Sequence, residues 1–269
     1  MRKLLIVLAV AGLAVLAVNC NQLKARDQVN KGVQAFKNAQ YPEAVENFKR
    51  AVVLDPTFVS ARQYLAVAYM LQYIPGADSP ENNKMADAAR EQFMKVLDQD
   101  PKNTTSMSYL ASLYLNQKKW AEARQWNEKL VAVDPNNADA YYSLGFITWS
   151  EWFPEYGTAR ANLGMRPDDP GPIKDKKVRE ELKAKYMPMI QSGLQALDKA
   201  LQINPEYDDA MAYENLLIRE AADLTDSKDE YEKQIKIADN WMQKALDTKK
   251  RKAEKKASQG GGGIVSDAK

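Results

Sequence analysis

The chain ends a helical stretch with nearly the same short string again and again. Val52–Pro56 reads VVLDP, Val131–Pro135 reads VAVDP and Leu201–Pro205 reads LQINP, while Val96–Pro101 reads VLDQDP. Ahead of three of these strings lies one spacing: Ala44, Phe48, Ala51 and Pro56; Ala89, Phe93, Val96 and Pro101; Gly193, Leu197, Ala200 and Pro205. Residues four and three apart share one face of an α-helix. The small residue lets two antiparallel helices approach closely, and the bulky one fills the gap beside it. Proline cannot sit inside the helix, so it marks the turn into the next unit. Self-similarity of this kind means stacked helical hairpins, none of which buries its apolar face alone.

A second signature marks the first helix of each hairpin: Leu65-Ala66 with Tyr69, Leu110-Ala111 with Tyr114, and Leu144-Gly145. Together the two signatures resemble the tetratricopeptide repeat, whose unit runs ~34 residues. The resemblance covers Ala25 to about Asp247, with units starting near Ala25, Val59, Thr104, Ala138 and Asp208. It implies an all-α, right-handed solenoid of about five hairpins over residues 25–248. Departures are local. Unit two carries a Pro/Gly/Asn-rich loop at Tyr73–Lys84, unit four a long insert over about Glu151–Lys177, and unit five a shorter one around Asp223–Asp229. Unit three has Trp126-Asn127 where one bulky residue is expected. Unit five has Glu214-Asn215 in place of the Leu-Gly pair, yet its second helix keeps the spacing through Ala238, Met242 and Ala245.

The N-terminus has a different composition. Arg2 and Lys3 precede an apolar run from Leu4 to Val18, which stops at Asn19-Cys20. A basic start followed by an apolar segment of this length reads as an export signal, and the run is short for a membrane-spanning helix, which needs ~20 apolar residues. The order resembles a bacterial lipoprotein signal over residues 1–19, with Cys20 as the lipidated first residue and 20–24 as a short linker. Asn19 stands where Gly, Ala or Ser is usual, and Ala17 where Leu is usual. Ordinary cleavage near Ala17 and an uncleaved anchor are the alternatives. The resemblance implies a chain exported to the bacterial envelope, lipid-anchored and facing the periplasm.

The formal net charge is +2, and Arg2 and Lys3 are the only charges before Cys20, so the mature chain is near neutral. The basic residues collect at Lys249–Lys256 (KKRKAEKK), followed by SQGGGG at Ser258–Gly263. Residues 249–269 read as a basic, Gly-rich disordered tail or the frayed end of the last helix. The sharper reading is electrostatic contact with anionic lipid or an acidic partner. A nucleic-acid partner is not expected, since aromatic and basic residues do not interleave.

Histidine is absent, and Cys20 is the only cysteine. That removes the commonest general base, most zinc ligands and thiol chemistry. No Gly-x-Ser-x-Gly, phosphate loop or dinucleotide fingerprint is present. The acids at Asp168-Asp169 and Asp208-Asp209 sit beside prolines or at helix starts, where acids serve as caps. The expectation is a protein that is not an enzyme and needs no cofactor or metal.

Stacked hairpins present a surface. In the family that this chain resembles, the first helices line the concave groove. Residue by residue, that implies Gln63 in unit two, Ser108 in unit three, Tyr142, Phe146 and Trp149 in unit four, and Arg219 in unit five. The chaperone-tail clamp of some members needs Lys and Asn where this chain has Val29 and Val33, so that partner is not expected. The insert adds Trp152, Phe153, Tyr156, Arg160 and Arg166. Aromatics and arginines are favoured at interface hot spots. The bland alternative is a helical connection with a small core of its own. The function expected is a protein-interaction scaffold that binds a peptide segment or partner protein. The alternative is a solute- or glycan-binding lipoprotein that stacks sugar rings on the aromatic groove.

Overall fold

The computed structural model describes the backbone of residues 2–166 and 168–260 and the side chains of residues 20–166 and 168–258. The side chains of the apolar N-terminal run and of residues 259–260, and all of the chain beyond 260, lie outside the described residues. Ten helices, and no strand, occur among the described residues: α1 (Arg2–Lys37), α2 (Tyr41–Leu54), α3 (Val59–Met70), α4 (Pro80–Gln99), α5 (Thr104–Asn116), α6 (Trp120–Val133), α7 (Ala138–Asn162), α8 (Lys176–Ile203), α9 (Asp208–Ala222) and α10 (Lys228–Gly260). In sequence they make five consecutive helical hairpins, of which α1–α2, α3–α4, α7–α8 and α9–α10 are seen packed together, and the second to fifth begin where the repeat spacing places them. The fold is the all-α tetratricopeptide type.

The Asp-Pro and Asn-Pro strings end the second helices by backbone sterics. A residue before proline is pushed out of the α region. Asp55, Asp100 and Asn204 all sit near φ −139° to −126° and ψ 87° to 92°. Their N–H groups still donate to Ala51, Val96 and Ala200, closing the last turn. Asn103 and Asn137 then cap the next helices, accepting from the Ser106 and Ala140 amides at 3.0 Å. This leaves fewer of the first-turn donors unsatisfied. In the tight turns of hairpins one and three, Ala39 and Lys118 occupy matching left-handed positions at φ 58° and 55°.

The chain divides into two compact units, Met1–Trp126 and Asn127–Lys269. In the first, Ala44, Phe48 and Ala51 are fully buried. Gly32 on α1 lies under the Phe48 ring, where an added Cβ would come within 2.5 Å of it. Phe48 then stacks on Tyr64 of α3 at 5.5 Å, and Phe93 repeats the arrangement with Tyr109 of α5 at 5.1 Å. In the second unit the same logic holds α7 to α8: Leu197 fills the space over Gly145, and Thr148 that over Gly193. A core of Trp152, Ile173, Ile190, Leu197, Leu217 and Leu224 surrounds these contacts.

Several expected boundaries change. The linker assigned to 20–24 is part of α1, because no proline interrupts Arg2–Lys37. Half of the expected insert is helix: α7 continues to Asn162 through Pro154, and α8 starts at Lys176 under an Asp175 cap. The true connection is 163–175. In unit two the loop ends at Ser79, and Asn82 pins it through bonds to Ile74 and Ala77. The segment 249–260, expected to be disordered, continues α10. Lys252 pairs with Asp208 at 2.5 Å and Arg251 with Glu206 at 3.6 Å, tying the helix to the start of α9.

Because Phe48 touches both its own hairpin and the next, Phe48→Ala should cost about 3–5 kcal/mol. Chemical denaturation read by circular dichroism checks this. Loss of amide protection in α3 as well as α1 and α2 is the expected companion, since repeats are coupled to their neighbours.

Candidate functional site

The aromatic residues of α7 fall at spacings of four and three, so one helix face carries Tyr142, Phe146, Trp149 and Phe153. They form a continuous row. Tyr142 and Phe146 are 6.4 Å apart, Trp149 and Phe153 4.9 Å, and the ring of Tyr213 on α9 meets Tyr142, Phe146 and Trp149 at 5.2–5.8 Å. Tyr207 stacks on Tyr142 at 4.9 Å, and its hydroxyl donates to Asp139. Tyr142, Phe146 and Trp149 are half-buried, while Phe153 at the end of the row is 44% exposed.

Beneath the row lies a layer of buried polar groups. The Trp149 indole donates to Glu220 at 2.9 Å. Tyr156 donates to Asp223 at 2.8 Å, and the Arg160 guanidinium pairs with the same carboxylate. Arg160 also donates to the Arg166 and Asp169 carbonyls at 2.7 and 2.6 Å, and Arg179 to the Ile173 carbonyl at 2.7 Å. The Asp223 carbonyl accepts from Ile173, and the Tyr231 hydroxyl accepts from Gly171. Two buried arginines and one aspartate thus engage backbone groups of Arg166, Asp169 and Ile173 in the 163–175 connection, whose described residues form no helix or sheet to do so.

Burial in this layer raises the carboxyl pKa values. It pushes Glu220 up to about 7, against the Trp149 hydrogen bond, and Glu214 up to about 8, helped by Asp198. Burial also raises Asp223, opposed by Tyr156 and Arg160, and it raises the Tyr142 and Tyr156 phenols. Charged forms lose hydration here, which disfavours them.

The other expected site residues are placed as follows. Gln63, half-buried on α3, donates to Asn103 at 2.8 Å, and Ser108 is exposed on α5. Both lie in the first unit. Arg219 on α9 pairs with Asp239 of α10 at 2.5 Å. Cys20 is exposed. Of the insert residues expected at a surface, Trp152 and Arg160 are instead buried, at 0% and 4% exposure. Trp152 packs on Tyr156 and Tyr186, and Arg160 is consumed by the connection. Arg166 is exposed and paired with Asp169 at 3.0 Å. No group of His, Cys, Asp and Glu among the described residues could hold a metal ion.

Sequence spacing alone misses Tyr213, Glu220 and Asp223. Glu214 was within reach, since it stands at the Leu of the Leu-Gly signature, a position buried at Leu65 and Leu110. Its raised carboxyl makes a prediction. A group whose pKa rises on folding stabilises the fold below its unfolded value, and that stability is lost as pH rises through the folded value. Glu214→Gln should therefore gain on the unsubstituted chain as pH climbs from about 4.5 to about 8. The gap in melting temperature should widen by several degrees over that range, measured by calorimetry.

Comparison with known proteins agrees with this architecture. Residues 83–145 match the tetratricopeptide repeat family model. A photosystem I assembly protein of Prochlorococcus marinus (strain MIT 9211) is 23% identical over 142 residues, covering 49% of this chain and 76% of that protein. Among solved structures, MamA from Desulfovibrio magneticus RS-1 is 16% identical, with 85% of this chain and 96% of that one covered at a TM-score of 0.55. YrrB, described as a tetratricopeptide protein with an unusual peptide-binding site, is 15% identical, with 88% and 97% covered at a TM-score of 0.52. The family model covers residues 83–145, and the repeat spacing and the fold shared with the solved structures extend the tetratricopeptide-like architecture along the chain.

Proposed function

We propose that this chain is a protein-interaction scaffold that binds a peptide segment through the α7–α9 aromatic row. The row itself carries the proposal. Four aromatics lie side by side on the first helix of a hairpin, half-buried, and end in an exposed Phe153. Exposed aromatic area is unfavourable in water unless a partner covers it. The row is also rigid, because Trp149 is fixed by Glu220 and Tyr213, so little side-chain freedom is lost on binding. YrrB supports the reading, as a protein of the same fold whose description names a peptide-binding site. Binding rather than catalysis fits the chemistry, because Glu220 and Asp223 beneath the row are buried and engaged by Trp149, Tyr156 and Arg160.

Phe153 separates binding from stability. Peptides selected from a random display library on the unsubstituted chain should bind Phe153→Ser about tenfold or more weakly, as expected for an anchor worth ~2 kcal/mol. The melting temperature should stay within a degree or two. Selected peptides that bind both chains equally would remove the row from the binding site.

The cellular setting belongs to the same proposal. The order of basic residues, apolar run and exposed Cys20 supports export with a lipid on that cysteine, in a bacterial envelope. Cells grown with labelled palmitate should label the unsubstituted chain and not Cys20→Ala, and the variant should leave the membrane fraction. An unlabelled parent chain would leave ordinary secretion in its place.

A further inference from the structure

Helix α10 carries a feature that neither the repeat nor the aromatic row explains. The position that holds Phe48 and Phe93 in the first two hairpins is Met242 here. Those phenylalanines are fully buried beneath the tyrosine of the following hairpin, whereas Met242 is 43% exposed. The stacking face of the last hairpin is therefore open among the described residues. Leu246, one turn on, is 56% exposed. Beyond Lys252, which reaches Asp208 at the start of α9, the helix runs on to Gly260, and residues 253–258 are exposed on every face. Helical turns without a packing partner are marginal in water.

The exposed face has a period. Glu232, Ile235, Asp239, Met242, Leu246, Lys249, Ala253 and Lys256 alternate at spacings of three and four, the seam of a coiled coil. All are exposed except Ile235, which is half-buried. The seam is also self-complementary. Laid antiparallel on a copy of itself about the level of residue 244, it places Met242 against Leu246 and Ile235 against Ala253. The same alignment sets Asp239 against Lys249 and Glu232 against Lys256. Every apolar residue meets an apolar one, and every acid meets a base. The side chains of Glu232 and Asp239 are 53% and 52% exposed even with their local partners Lys228 and Arg219. They therefore retain open lone pairs for a second cation.

We propose that two copies of this chain pair through α10, antiparallel and two-fold symmetric, along this seam. A two-fold interface uses the same patch on both partners, so a self-complementary seam is what it requires. The seam continues the helix-on-helix packing that already joins the hairpins and supplies the cover that Met242 lacks. It lies on the second helix of the last hairpin, away from the α7 row, so pairing sets two binding rows in one assembly.

Charge reversal tests the register. The full-length chain in mild detergent, followed by sedimentation velocity over a concentration series, should show a monomer–dimer equilibrium. Lys256→Glu or Glu232→Lys alone should raise the dissociation constant about tenfold, because each symmetric dimer then holds two repelling pairs. The double variant, with the two charges exchanged, should restore the original value. At concentrations where the chain is monomeric, melting curves should be unchanged throughout, as both residues are exposed. A parent chain that stays monomeric, or a dimer indifferent to both single reversals, would overturn the proposal. So would a double variant that fails to recover, since the antiparallel register demands the rescue.

Discussion

Everything in this molecule depends on how closely two helices of a hairpin approach. Gly32 under Phe48, Gly145 under Leu197 and Gly193 under Thr148 are positions where a single added carbon would come within 2.3–2.6 Å of its neighbour. Close approach lets one bulky side chain touch its own hairpin and, in the first unit, the next as well. That is why Phe48 and Phe93 are buried completely although each hairpin is only two helices thick. Interiors packed at this density do not absorb an extra methyl group without movement.

The fourth hairpin departs from this economy, and buried charge makes the departure possible. Its helices run past the repeat length and are joined by a connection of thirteen residues, 163–175, without helix or strand among its described residues. Arg160, Arg179 and Asp223 supply the hydrogen bonds that such a backbone needs. Breaking a buried pair leaves an uncompensated charge, which costs far more than the pair contributes. The arrangement therefore fixes the connection and, through Tyr156 and Trp149 above it, the aromatic row. A scaffold that binds through rings needs them held still, and the polar layer under α7 holds them.

Hairpin number and the start of each hairpin after the first were legible in the sequence. Small-bulky-small spacing and an acid or amide before proline act within a few residues, so local chemistry decides them. The face shared by Tyr142, Phe146 and Trp149 was legible for the same reason. Phe153, expected among the insert residues, proved to continue that face, because α7 does not stop at Pro154. The helix seen at 249–252, where a disordered tail was expected to start, is held by Asp208 and Glu206, more than forty residues earlier.

What the sequence determined by itself is therefore the repeat: five hairpins of helices whose apolar stripes must be buried against one another. What only the tertiary structure decided is the fate of the polar residues. Arg160 and Trp152 look like surface residues in a string of aromatics and arginines, yet both are interior. Glu220 and Asp223 look like ordinary acids near a helix end, yet one fixes Trp149 and the other closes the connection. Burial of a charged group depends on a partner that the chain brings back from far away. Arg160 and Asp223 are 63 residues apart. No local pattern encodes that return, because it exists only once α7, α8 and α9 have packed.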